Sequence, residues 1–78
     1  MKPSDINVGS TYKNRGAGKT TRTVLAIGDK YRPPYWSGFP GTEPTEPGVL
    51  FLQGRTRRKL YISSFAAWAG EEVKGGER

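Results

Sequence analysis

Five of the six prolines in this 78-residue chain fall within residues 30–48. Proline has no amide proton to give to a sheet ladder, and its ring holds φ near about −65°. The stretch KYRPPYWSGFPGTEPTEPG therefore cannot be a central strand or a helix interior. It is expected as a long loop over 30–48, with a short strand at 30–32 and an exposed, flexible part at 41–47. Every other regular element must come from the two flanks, residues 1–29 and 49–78. A chain of this length supports one domain with one small core. It has no cysteine, so no disulfide reinforces that core.

In the first flank, residues 10–15 alternate, with Tyr12 turned inward, and predict a strand. Residues 16–19, GAGK, carry two glycines and suit a hairpin loop. TTRTVLAI at 20–27 is rich in β-branched residues and predicts a second strand. Its apolar end is continuous, which predicts that both faces are covered, with Leu25 and Ile27 on one and Val24 and Ala26 on the other. Gly28-Asp29 ends it.

The second flank repeats the pattern. VLFLQ at 49–53 reads as a strand, Gly54-Arg55 or Gly54-Arg55-Thr56 as a tight turn, and RRKLYI at 57–62 as the partner strand with Leu60 and Ile62 inward. Ser63 or Ser64 then caps a helical turn. Phe65 and Trp68, at i and i+3, share one side of it and suit a plug in the core. Gly70 is placed to stop the turn, and residues 71–74 form a last short strand.

Two hairpins, a long intervening loop and a helical turn predict a mostly β chain: a small SH3-like barrel of four to five antiparallel strands with one short C-terminal helical turn. An OB-like barrel needs a longer helix and longer strands. Residues 1–9 are a lead-in, 10–74 the single domain, and 75–78 a frayed tail.

The chain carries 13 Lys and Arg against 7 Asp and Glu, a net charge of +6. Lys13, Arg15, Lys19 and Arg22 flank the first hairpin loop, and Arg55, Arg57, Arg58 and Lys59 form a second cluster. The acids gather elsewhere, Glu43 and Glu46 in the proline-rich loop and Glu71, Glu72 and Glu77 near the end. Such segregation suits a partner with phosphates or an acidic surface. On a strand, Arg57 and Lys59 point to one side and Arg58 to the other. The competing account is a solvated edge strand whose cations prevent edge pairing.

A second candidate surface is aromatic. Tyr35, Trp36 and Phe39 lie among prolines and glycines, where rings can stack on bases or line a groove for an extended peptide; Tyr31 is expected to fold back as a lid. Chemistry is not expected. There is no histidine and no cysteine, which removes most nucleophile–base pairs and most transition-metal sites. GAGKTT at 16–21 looks like the end of a phosphate-binding loop, but position 13 is Lys where glycine is needed, and a strand former follows instead of a helix. No catalytic residue, metal or cofactor is therefore expected. No apolar run approaches the roughly 18–20 residues of a membrane span. Met1 to Asp5 is polar with no apolar signal region after it, so a cytoplasmic location with no membrane partner is expected.

VGSTYKNRGAGKTTRTVLAI at 8–27 and SSFAAWAGEEV at 63–73 together resemble small uncharacterised proteins of bacteriophages and prophages. The matching residues are Val8, Gly9, Tyr12, Asn14 and Arg15, then Arg22, Thr23, Val24 and Ile27, then Ser64, Phe65, Trp68 and Ala69. The proline-rich middle matches no pattern. The resemblance implies a phage-type accessory protein of SH3-like fold, acting in a bacterial host cytoplasm with no assigned activity. The leading expectation is a non-enzymatic interaction module for a phage or host protein. The alternatives are nucleic-acid binding through the clusters at 13–22 and 55–59, and assembly through strand edges. Signalling SH3 domains bind polyproline through an acidic loop; the basic first hairpin here does not support that transfer.

Overall fold

The computed structural model describes residues 1–16, 19–35, 41 and 44–73. The chain is mostly β. The strands are β1 (Thr11–Asn14), β2 (Thr21–Gly28), β3 (Gly48–Gln53), β4 (Thr56–Tyr61) and β5 (Ala69–Val73), with one helix, α1 (Ile62–Trp68), between β4 and β5. All the pairings are antiparallel and the order is β4-β3-β2-β1-β5. A four-stranded meander whose fifth strand returns to the first is consistent with the small barrel-like fold of four to five antiparallel strands expected from the two hairpins. The sheet is left unclosed, because the edge strands β4 and β5 share no ladder.

Local chemistry sets both hairpins. The Asn14 side chain closes the first: its amide oxygen accepts from Thr20 N at 3.2 Å and its amide nitrogen donates to Arg15 O at 3.0 Å. The second turns on Gly54 and Arg55, with Gln53 opposite Thr56. Gly54 has φ +63°, a conformation that L side chains rarely adopt.

The core is built on Tyr12, Val24, Val49, Phe51 and Phe65, all essentially inaccessible, with Ile6, Ala66 and Ala69. Phe65 rises from α1 into the sheet, edge-on to Tyr12 at 5.7 Å and tilted against Phe51 at 5.2 Å. The inward placement of Tyr12, Leu60 and Phe65 follows the alternation and spacing in the sequence. Residues 1–9 are more than a lead-in. Ile6 is buried, and the Tyr12 hydroxyl donates to Asp5 O and accepts from Asn7 N, so the buried ring reaches its polar partners only through this segment.

Six local expectations are corrected. The β2–β3 register skips Leu25, with Val24 opposite Phe51 and Ala26 opposite Leu50. This bulge inserts one residue and resets the alternation. Val24 and Ile27 therefore pack on the core while Leu25 is 37% exposed, so the two faces are not both covered. Residues 29–31 form a 3-10 turn rather than a strand at 30–32, since the chain must leave the sheet where β2 ends. Ile62 opens α1 instead of ending β4, and neither serine caps the helix. The cap comes from the loop: Glu46 Oε2 accepts from Ser63 N at 2.8 Å, and Pro47 O accepts from Ile62 N. Gly70 does not stop α1, which ends at Trp68. It lies in β5, where a Cβ would come within 2.9 Å of Arg15 Cα.

The sixth correction concerns the loop at 41–47. Its described part at 44–47 is anchored rather than loose. Arg32 Nε donates to Glu46 O at 2.8 Å, a terminal nitrogen of Arg32 donates to Thr45 O, and the Asp29 carboxylate pairs with the same guanidinium at 3.3 Å. Glu46 and Pro47 are half-buried. The residues at 75–78 lie outside those described.

Two stability changes follow. Gly48→Ala drives a methyl into the Tyr31 carbonyl and should cost about 3 kcal/mol or more, because the obstacle is backbone. Glu46→Ala should cost about 1 kcal/mol by uncapping α1, with Glu46→Gln recovering part of it. Urea denaturation midpoints measure both.

Candidate functional site

The meander puts the β1–β2 loop and the β3–β4 turn at the same end of the sheet, since both connect strands running away from that end. Lys13, Arg15, Lys19 and Arg22 therefore come to the end that carries Arg55, Arg57 and Arg58. The 3-10 turn that follows β2, with Asp29, and Glu46 just before β3 lie at the other end. Two acids do return on β5: Glu71 pairs with Lys13 at 3.4 Å, an exposed contact of a kind worth little, and Glu72 lies opposite Tyr12. Lys13, Asn14, Arg15, Gly16, Gly70 and Glu71 line an open polar cleft of about 410 Å³ there.

The second cluster divides as its alternation predicts. Arg57 pairs with Leu52 and Lys59 with Leu50, whereas Arg58 is opposite buried Phe51. Cross-strand partners share a face, so Arg58 rises on the core-facing side and Arg57 and Lys59 on the outer one. Arg55 sits in the exposed turn.

Arg22, a member of the first cluster, gains a specific setting from this geometry. It pairs with Tyr12 and so points to the core-facing side. Its guanidinium carbon lies 4.2 Å from the Trp68 ring centroid and 4.8 Å from that of Phe51. Its Nε donates to Gln53 Oε1 at 2.7 Å. Burial, and secondarily the charge of Arg58, push the Arg22 guanidinium below its usual range; at neutral pH an arginine still carries its proton. The sequence does hold a signal for this corner. Arg22 precedes Val24 by two and Gln53 follows Phe51 by two, so both are polar residues at inward positions. Trp68 is core on one face and this site on the other.

Tyr35, the described ring of the three, does not join the basic end. Tyr35 is 47% exposed and meets Tyr61 edge-on at 6.2 Å, and Tyr61 closes β4 at the opposite end. The Tyr61 hydroxyl donates to Pro33 O. Tyr31 is half-buried against Gly28, as a lid would be. Trp36 and Phe39 lie outside the described residues. In comparisons with known proteins, the chain matches no family model, no curated protein and no solved structure.

Removal of the Arg22 side chain tests its packing. Arg22→Ala should lower stability by about 1 kcal/mol, because the stem is no longer buried and the guanidinium no longer packs on the two rings. Arg57→Ala on the outer face should leave the denaturation midpoint unchanged.

Proposed function

We propose that this chain is a non-enzymatic binding module whose partner is nucleic acid, engaged through phosphates at the basic end of the sheet. The observation that carries this reading is the convergence of two basic clusters, far apart in sequence, on one end of the meander, with Asp29 and Glu46 at the other. Phosphates attract such a surface from any sequence of bases, and each phosphate neutralised releases counterions. The resemblance of residues 8–27 and 63–73 to small phage proteins supports extending the proposal to a phage-type accessory protein in a host cytoplasm. Among the described residues no helix is long and apolar enough to cross a membrane.

A protein partner is the second reading, favoured by the exposed Tyr35 ring at the opposite end. The two surfaces are separable by mutation, because they lie at opposite ends of the strands.

Fluorescence anisotropy with labelled single- and double-stranded oligonucleotides decides the first reading. Affinity should fall steeply between ~50 and ~200 mM salt. Arg55→Gln with Arg57→Gln should reduce the slope of log affinity against log salt by about one unit for each phosphate left without its arginine. Tyr35→Ala should leave it unchanged. Absence of binding to either probe at the lowest salt would overturn the proposal.

A further inference from the structure

We propose that Arg22 and Arg58 form a built site for a single phosphate group at the mouth of the sheet, with Trp68 and Gln53 holding Arg22 in the receiving position. The inference deepens the nucleic-acid reading and rests on it for the source of the phosphate.

Three features carry it. The first is preorganisation. The Arg22 guanidinium lies between the Trp68 and Phe51 rings, at 4.2 and 4.8 Å, with Nε committed to Gln53 at 2.7 Å. A long flexible side chain is thereby held by three neighbours before any ligand arrives, which lowers the ordering cost of binding. The second is spare donor capacity. Guanidinium has five N–H donors, and among the described residues only the Nε–H of Arg22 has an acceptor. Its terminal nitrogens form the fork that matches two phosphate oxygens.

The third is the neighbour. Arg58 faces Phe51 across the β3–β4 ladder, and the Arg22 guanidinium lies over that same ring. Both cations thus rise on the core-facing side of the sheet, and among the described residues neither has a salt-bridge partner. Burial and mutual repulsion both disfavour the charged Arg22. A tetrahedral oxyanion between the two guanidiniums reverses the repulsion and supplies acceptors for the idle N–H groups. An apolar or cationic ligand would do neither. Arg57 and Lys59, on the outer face, contribute only general attraction.

A phosphomonoester at a strand terminus and a backbone phosphodiester present the same oxygens, so the test separates them. The full chain is titrated with inorganic phosphate while the 15N resonance of Arg22 Nε is followed. It is also titrated with one oligonucleotide sequence bearing either a 5′-phosphate or a 5′-hydroxyl. Phosphate should shift the Arg22 resonance saturably. Arg22→Lys, which keeps the charge but loses the fork, should weaken phosphate binding about tenfold. Arg58→Gln, on an exposed edge-strand position, should do the same without affecting folding, whereas Arg57→Gln should not. Preference for the 5′-phosphate probe assigns a terminal monoester; equal affinity assigns the backbone.

The site is overturned if phosphate leaves the Arg22 resonance unmoved, or if Arg57→Gln weakens phosphate binding as much as Arg58→Gln. Oligonucleotide binding that survives such a result sinks the site and leaves the nucleic-acid reading standing. Saturable phosphate binding at Arg22 with no oligonucleotide binding at low salt has the opposite meaning: the site stands and nucleic acid is not its source of phosphate.

Discussion

The Phe65 ring holds this structure together. An open sheet of five short strands leaves a gap between β4 and β5, and α1 is the segment that spans it. Phe65 is the side chain through which α1 engages the sheet, wedged against Tyr12 of β1, Phe51 of β3 and Trp68 of its own helix, with centroids 5.2–5.7 Å apart. Each such pair contributes about 0.5–1.5 kcal/mol beyond the area it buries. In a core with few apolar residues and no disulfide, that cluster is what fixes the helix over the gap. The flanking segments depend on it in turn. The lead-in is held by Ile6 and by the Tyr12 hydroxyl, and the proline-rich loop returns to α1 through Glu46.

The same cluster supports the candidate site. Trp68 packs on Phe65 with one part of its ring and receives Arg22 with another, and Phe51 is shared in the same way. Two rings of the core thus also hold Arg22 in place. The charge pattern has a different origin. It follows from antiparallel order, which returns alternate connections to the same end of a meander, so that clusters more than thirty residues apart become neighbours (Arg22 and Gln53, which are directly bonded, are 31 apart).

Much of the fold was legible in the chain. The β-branched run in β2, the glycine turns and the alternation around Tyr12 are local signals, and the strands formed where those signals lay. The two orientations of the 57–59 run were legible for the same reason, because a strand alternates whatever it packs against. The misreadings share one cause. Leu25 is a bulge, Glu46 rather than a serine caps α1, and Gly70 serves close backbone approach. In each case a residue's role was set by a segment distant in sequence: β3 for Leu25, the loop for α1, Arg15 for Gly70. Residue type narrowed the possible roles without choosing among them.

By itself the sequence determined a mostly β chain: prolines excluded the ladder from the middle, glycines turned both hairpins, and alternation turned Tyr12 inward. It also determined that the chain is basic and lacks the side chains for most nucleophilic and metal chemistry. Only the tertiary structure decided which cations share a surface. It separated Tyr35 from the basic end, turned Glu71 back onto Lys13, and packed Arg22 on two rings on the same face as Arg58. Local propensity acts over a few bonds, whereas the meeting of charges depends on strand order and register, and those are settled only when the core closes around Phe65.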